Sequence, residues 1–393
     1  MEHRTQVAKF ISKLHFLPSI FRQLVFQQIL DATEKHPSLL LSRRSHLLHC
    51  DRPSFTSHET LRMATAPVNL GLIGLGPSWE SRYRPALTKI TAKLRVVAVY
   101  DNVVSRAEQA ARETGSRVVS GVAALADRTD VQALLLLDTG WQGSAMLHLL
   151  IERRKPILFA ARADVPLLEL QQLHEHAVSH GLTIMPAFPR RCTPASHRLQ
   201  ELLATQLGRP LRVEVAISPA SLHAVPFATD ADFGGHAPPP PDPLLEWIDW
   251  CHYLFRATPQ QVTRRGDGQG LRLGFPPLAP NEPRIAELSL CPTAPIADQP
   301  TLDEVRLHCE RGNARLLGTT TIEWTADGST QSEELTAERT ETEVLLDHFC
   351  RRVVGGLIPV PTLEDLRQAK LAIAPTSKQE AQISAALKAK GNA

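Results

Sequence analysis

The chain lacks the features that mark several large classes of protein. No apolar run reaches the roughly 18 residues that a membrane-spanning helix requires, and the 43 basic and 41 acidic residues leave a formal charge of only +2. The six cysteines are scattered without a C-x-x-C pair, which argues against a zinc site and against a disulfide framework. We therefore expect a soluble, cytoplasmic protein with no metal site, no nucleic-acid partner and no membrane span.

The length and the apolar content point to more than one domain. With 393 residues, 43% of them hydrophobic, the chain can bury two cores. The apolar stripe near the start is compatible with a targeting or membrane-surface helix, but a poorly ordered extension ahead of a natural start at Met63 is the simpler interpretation. We predict an appended segment over 1–66, a first domain over 67–190, a second domain over 191–377 and a polar tail over 378–393.

A glycine-rich turn near the start of the first domain predicts a nucleotide site. An apolar strand runs into Gly74 and Gly76, whose missing side chains let the backbone approach a pyrophosphate. Asp101 ends the next strand, 27 residues after Gly74 (101 − 74), where a carboxylate can bind an adenosine ribose and favours NAD over NADP. Trp79 departs from the small residue usual at the third position of this motif. The predicted cofactor-binding residues are Gly74, Gly76, Pro77, Ser78 and Asp101.

Short apolar strands alternate with helices through the first domain. Helices are predicted near 80–92, 103–114, 143–153 and 166–180, between strands at 68–73, 95–100, 117–119, 134–137, 156–159 and 182–185. This alternation is typical of an α/β domain with a doubly wound, parallel sheet of the Rossmann type.

The pattern changes in the second domain, where strands follow one another. Strands are predicted at 211–217, 286–290, 304–309, 314–317 and 320–324, with helices at 194–206, 243–255, 341–354 and 362–373. The strand at 211–217 alternates apolar and polar residues, which indicates one buried and one solvated face. We predict an α+β domain with a mostly antiparallel open sheet.

These landmarks resemble the glucose-fructose oxidoreductase, inositol dehydrogenase and MocA-like family (Gfo/Idh/MocA), from Val68 to about Ser377. The glycine turn and Asp101 match its opening unit, Arg191 and Pro194 match the start of its second domain, and 361–365 matches the start of its closing helix. The resemblance implies hydride transfer between NAD(P) and a sugar or polyol carbon. It also implies homo-oligomers that pack their open sheets face to face.

The chain departs from the family at two loops that carry the chemistry. Where the family has Glu-Lys-Pro, this chain has Ala160, Ala161 and Arg162, so the signature lysine is absent. Where the family has Thr-Pro-Asn with a histidine three residues on, this chain reads Asp138-Thr139-Gly140-Trp141-Gln142-Gly143. Arg162 can bind an anionic substrate but cannot act as a base, because a guanidinium stays protonated near neutral pH. We predict substrate contacts from Arg162, Arg191 and His236.

The family also carries an acid, a histidine four residues later and an acid three residues after that, facing the substrate. The matching register here is Asp242, Glu246 and Asp249, which puts Glu246 at the histidine position. A glutamate can move protons, so Glu246 and Asp249 are the predicted catalytic residues, with His252 and His236 as rivals. Glu246 and Asp249 also share one helix face and could form only its solvated side.

Two functions remain open from the sequence. The first is an NAD(P)-dependent oxidoreductase of Gfo/Idh/MocA type, with NAD preferred, acting on a sugar-like, polyol or anionic small molecule. The alternative is a catalytically inactive nucleotide- or ligand-binding or scaffold protein that retains the fold without the catalytic lysine.

Overall fold

The structure is a computed structural model. It describes residues 66–76, 78–139, 142–160, 165–218, 244–264, 270–280, 282–290 and 302–374. Two sheets organise this part of the chain, one of six strands and one of eight.

The first sheet is parallel and doubly wound, as the sequence predicted. Its strands lie in the order β3-β2-β1-β4-β5-β6, so the strand order reverses between β1 and β4. In open α/β sheets, ligands bind beyond the carboxyl ends of the strands at such a reversal. The strands are β1 Val68–Ile73, β2 Leu94–Tyr100, β3 Arg117–Val118, β4 Ala133–Leu136, β5 Ile157–Ala160 and β6 Ile184–Ala187.

Helices cover this sheet and bury its central strands. All four residues of β4 are buried, as expected for a central parallel strand covered on both faces. The helices are α1 Arg84–Lys89, α2 Val104–Thr114, α3 Val122–Ala126, α4 Ser144–Ile151 and α5 Leu167–Ser179. A π-helical turn over Trp79–Tyr83 precedes α1, and it begins at the tryptophan that departs from the glycine motif. The Trp79 side chain is buried in the core beside β1.

The second sheet is mostly antiparallel, again as predicted. Its strand order is β14-β13-β12-β11-β7-β10-β9-β8, and β7 and β10 are its parallel pair. The strands are β7 Pro210–Ile217, β8 Gln261–Arg264, β9 Gly270–Phe275, β10 Arg284–Leu290, β11 Glu304–Cys309, β12 Gly312–Leu317, β13 Thr321–Ala326 and β14 Ser329–Glu334.

One face of the second sheet is packed and the other is charged. The buried residues of β7 and of its neighbours join one core with α7, Leu245–Phe255. A 3-10 turn over Pro189–Cys192 and helix α6, Pro194–Leu202, connect β6 to β7, and α6 continues as a π-helical turn over Leu203–Leu207.

The last two helices return to the first domain. Helix α8, Glu341–Val353, places Glu343 2.7 Å from Lys89 and Asp347 in contact with Lys93. Helix α9, Leu363–Ile373, begins with a reciprocal capping box between Thr362 and Asp365, and lies against α5 and α7. Among the described helices, none has the length and apolar content needed to cross a membrane.

Candidate functional site

The glycine turn lies at the carboxyl end of β1, where the strand order reverses. Gly74 has φ +72°, and a Cβ added there would lie 2.2 Å from the backbone oxygen of Asp138. Both the left-handed backbone and the close approach therefore require glycine. The N–H of Gly74 donates to the carbonyl of Tyr100 at 2.9 Å, which joins the turn to the end of β2.

Asp101 is fixed directly beside this turn. Its Oδ2 accepts a hydrogen bond from the N–H of Leu75 at 2.7 Å, and its Oδ1 accepts one from the N–H of Val103 at 2.7 Å. The guanidinium of Arg106 adds a contact of 3.2 Å to Oδ1. A carboxylate offers about four acceptor positions; three donors already use this one, and its side chain is only 3% exposed. The structure thus brings together the turn and the acid that the sequence singled out.

Gly76 faces the residue that follows β4. A Cβ added to Gly76 would lie 2.9 Å from the carboxylate Oδ2 of Asp138. Ser78, the next predicted cofactor residue within the described part, is half-buried and directly precedes the π-helical turn. Pro77 lies outside the described residues.

Asp249, one of the predicted catalytic acids, is fully buried in an ion pair. Arg191 donates to both of its oxygens, at 2.7 Å and 2.5 Å, and also reaches Asp365 at 2.8 Å. Burial raises the pKa of Asp249, although Arg191 opposes this shift. For Arg191, burial lowers the pKa, but Asp249 and Asp365 outweigh this effect and the pKa is raised overall. Arg191, Asp249 and Asp365 together connect the 3-10 turn, α7 and the start of α9. Such an arrangement is typical of a structural contact.

Glu246 lies one turn earlier on α7 and is more accessible. Its side chain is 33% exposed, and its Oε2 lies 3.8 Å from Nε of Arg190. Arg190 stacks on the ring of Trp247 at 3.6 Å and donates to Asp303 at 2.8 Å. Asp303 in turn accepts from the N–H of Ser218 at the end of β7. A half-buried carboxylate therefore lies near a cation that Asp303 holds in place.

His252, a rival acid/base candidate, lies in an apolar environment. Its ring meets Phe275 edge-on, and burial, together with the charge of Arg191, lowers the pKa of His252 to about 4. Its Nε2 is buried and has no hydrogen-bond partner among the described residues. This histidine is uncharged near neutral pH.

Other predicted site residues lie outside the described part of the chain. They are Ala161 and Arg162 after β5, and His236 and Asp242 in the segment before α7. Within the described ranges, no group of three or more histidine, cysteine or acidic side chains is arranged to hold a metal ion.

Arg190 and Asp303 also belong to this site, although neither carries a clear signal in the sequence. Arg190 stands directly before Arg191, and this arginine doublet was its only sequence signal. Asp303 precedes β11 without any local signal, because its partner Arg190 lies 113 residues away.

No family model and no curated protein matches the chain, whereas solved structures match its fold. UDP-N-acetylglucosamine 3-dehydrogenase from Acidithiobacillus ferrooxidans is 18% identical over 78% of this chain and 96% of its own, with a TM-score of 0.60. A 3-ketoreductase from Actinomadura kijaniata, solved with NADP and TDP-benzene, is 18% identical over 78% and 96%, with a TM-score of 0.58.

A third similar structure is a super-repressor mutant of Gal80p from Saccharomyces cerevisiae. It is 12% identical over 78% of this chain and 94% of its own, with a TM-score of 0.63. At these identities the likeness concerns the fold, and it confirms the resemblance on which the sequence prediction rested. The chain has the two-domain fold of the Gfo/Idh/MocA-type dehydrogenases.

Proposed function

We propose that this protein binds an NAD-type dinucleotide and transfers hydride between it and a hydroxyl or carbonyl carbon of a sugar-like small molecule in the cytoplasm. The observation that carries the proposal is the bond of 2.7 Å between Asp101 and the N–H of Leu75. It fixes the acid that we propose to bind the ribose against the glycine turn. Two proteins of similar fold, described as a UDP-sugar dehydrogenase and a 3-ketoreductase, support the reaction class.

The residues present fit the adenosine end of such a cofactor. Asp101 would accept hydrogen bonds from the ribose hydroxyls, and the glycine turn would lie beside the diphosphate. When bound, the nicotinamide ring accepts or donates the hydride. Position 161 holds alanine instead of the family lysine, so no step is assigned to that position.

Glu246 is the proposed proton carrier. Its half-buried carboxylate can accept the proton of a substrate hydroxyl or return it to a carbonyl oxygen. Arg190 lies 3.8 Å from Glu246 without a hydrogen bond to it, and Asp303 fixes Arg190. Asp249 and Arg191 fix helix α7, which carries Glu246, and act as positioning residues. Arg162 and His236 remain proposed substrate contacts, whereas the predicted contact from Arg191 is replaced by the positioning role, because its side chain is 12% exposed and pairs with two carboxylates.

Calorimetric titration with NAD, NADH and NADPH tests the cofactor assignment. We expect Asp101→Ala to weaken NADH binding by at least about tenfold, since it removes a charge-assisted contact to ribose. Asp127→Asn is the matched control, because Asp127 is an exposed acid of the same domain that pairs with Arg153. Equal affinities of Asp101→Ala and wild type for NADH would contradict the assignment of Asp101 to the cofactor site.

The second candidate function is ligand binding without hydride transfer. Three observations on the acid/base candidates support it. Asp249 is ion-paired and His252 is uncharged and buried. Position 161, where the family has its lysine, holds alanine. The similar fold of Gal80p, solved as a super-repressor mutant, also supports this candidate. Turnover of a sugar-like substrate that Glu246→Gln lowers by about a hundredfold would support the oxidoreductase. Cofactor binding without turnover across such substrates would support the binding protein.

A further inference from the structure

Arg190 is held by two contacts and keeps one buried donor open. Its guanidinium stacks on the ring of Trp247 at 3.6 Å, and its Nη2 donates to Asp303 at 2.8 Å. Its Nε is buried and has no hydrogen-bond partner in the part of the chain that the structure describes. A buried N–H without a partner costs free energy. An arginine that is fixed in place with such a donor therefore points to a partner that arrives with a ligand.

A second arginine has neighbours of the same types but leaves its Nε satisfied. Arg198 lies over the ring of Trp324 at 5.4 Å, and its Nε and Nη2 each donate to Glu333 at 2.8 Å. An arginine between a tryptophan and an acid can therefore close its Nε with the carboxylate. At Arg190, the acid Glu246 stays 3.8 Å from Nε, beyond hydrogen-bond distance.

The gap between Glu246 and Arg190 has the width that one bridging oxygen requires. Their Oε2 and Nε atoms are 3.8 Å apart, so one oxygen can lie about 2.9 Å from both. A hydroxyl can accept from Nε–H and donate its own hydrogen to the carboxylate, whereas an ionised acid has no hydrogen to donate. The Nε1 of Trp247 is also buried without a partner among the described residues, which provides a donor for a second oxygen of the same ligand.

We propose that Arg190 is a catalytic residue that binds the oxygen on the reacting carbon and stabilises its developing negative charge while Glu246 removes its proton. A substrate hydroxyl enters the gap along Glu246, whose side chain is 33% exposed. The inference rests on the proposed hydride transfer. It names the cation that such a reaction needs at this oxygen, because position 161 holds alanine where the family has its lysine.

The proposed roles balance the reaction. In the direction of oxidation, the O–H proton passes to Glu246 and the electron pair of that bond forms the C=O bond, while hydride leaves the same carbon for the nicotinamide. Arg190 keeps its own proton throughout, since a guanidinium stays protonated near neutral pH. In the direction of reduction, the same Nε–H polarises the carbonyl oxygen and Glu246 returns the proton.

The test uses NADH together with an alcohol, a mixture that cannot react and therefore isolates binding. The probes are myo-inositol, methyl glucoside and UDP-N-acetylglucosamine, each titrated into NADH-saturated wild type, Arg190→Lys, Arg190→Gln and Arg198→Gln. Proton–nitrogen NMR spectra follow the Nε–H of Arg190, whose signal is identified by its loss in Arg190→Lys. That variant also keeps a cation beside Asp303 and so guards against loss of the fold. Arg198→Gln is the matched control, because it removes an arginine with neighbours of the same types.

We expect at least one probe to shift the Nε–H signal of Arg190. That probe should bind at least about tenfold more weakly to Arg190→Gln, and within about twofold of wild type to Arg198→Gln. With NAD⁺ in place of NADH, kcat for the same probe should fall about a hundredfold in Arg190→Gln, by a larger factor than KM rises, and should fall less in Arg190→Lys.

The contrary outcomes separate the inference from the proposed function. A probe that is turned over with an unmoved Arg190 signal, or with an unchanged kcat in Arg190→Gln, would overturn the inference and leave the proposed function intact. A probe that binds without turnover in wild type would overturn the catalytic role and support the second candidate function. Failure of every probe to bind would overturn the inference and the proposed sugar-like substrate, while binding of NADH would keep the cofactor site.

Discussion

At the scale of single residues, the structure separates two carboxylates that share one helix face. Asp249 is buried and held by Arg191, whereas Glu246 is partly exposed and faces Arg190. A buried acid with a bidentate partner contributes to position and stability, while a partly exposed acid can exchange protons with a ligand. Their different surroundings therefore assign them different roles.

We expect Asp249→Asn to lower the free energy of unfolding by about 3 kcal/mol, because it leaves the buried Arg191 without its bidentate partner. Glu246→Gln should change the free energy of unfolding by less than about 1 kcal/mol, since that side chain is half-buried and its contact with Arg190 is a weak ion pair at 3.8 Å. Urea unfolding of the two variants measures the difference. If Asp249→Asn were as stable as wild type, the ion pair would not hold these segments together.

The two glycines of the turn are not equivalent. At Gly74 a methyl group meets backbone and the φ angle is +72°, whereas at Gly76 it meets a side-chain carboxylate. We expect Gly74→Ala to lower the free energy of unfolding by about 2 kcal/mol or more. The loss at Gly74 should exceed the loss that Gly76→Ala causes. Thermal unfolding monitored by circular dichroism measures both, and a reversed order would contradict this geometry.

At the scale of elements, helix α8 joins the first domain through apolar packing and through charge. The buried carboxylate of Asp347 contacts Lys93 and lies 3.4 Å from Arg339 and 2.9 Å from Arg351. Burial acts to raise the pKa of Asp347, but its hydrogen bond with Lys93 and the other cations outweigh burial, and the pKa is lowered.

This lowered pKa predicts a pH dependence of stability. The contribution is fully present above the unfolded-state pKa of about 3.9, and it is lost as the pH falls through the lower folded-state pKa. We expect Asp347→Asn to reduce stability at pH 7 by about 3 kcal/mol and to flatten the loss of stability below pH 4. Unfolding curves from pH 7 to pH 2 check this, and parallel pH profiles of variant and wild type would contradict it.

At the scale of the whole molecule, the outer face of the second sheet carries a row of charges. Six directly neighbouring strands present Arg272, Glu287, Glu214, Arg306, Arg315 and Glu323 in register. Arg212 joins Glu214 and Glu287 at 2.9 Å each, and Arg315 joins Glu323 at 3.4 Å. This face is polar, although the family resemblance predicted that such sheets pack against each other.

We expect homo-oligomers formed through this face to be sensitive to salt, because exposed charge pairs are screened within about 8 Å at physiological ionic strength. Light scattering should show the mass falling toward that of one chain as sodium chloride rises to about 0.5 M. An oligomer whose mass does not depend on salt would place the interface elsewhere. A single chain at every salt concentration would overturn the predicted oligomer.

Most elements of the described part were predictable because their signals are local. Strands such as β11, Glu304–Cys309, and helices such as α9, Leu363–Ile373, follow their predicted ranges within a residue. Three strands and one short helix were not predicted: β8, β9, β14 and α3. All but one residue of β14 are exposed and β8 is a short edge strand, so neither carries the apolar alternation by which a strand is recognised.

The sequence by itself determined the alternation of strands and helices, the two sheet types, and the glycine turn with its acid, because each depends on neighbouring residues and their periodicity. The tertiary structure decided which charges meet. Arg191 pairs with Asp249 at a separation of 58 residues and with Asp365 at 174, and Asp138 lies against Gly76. Such contacts depend on strand order and on how helices pack across a sheet, which no local pattern encodes.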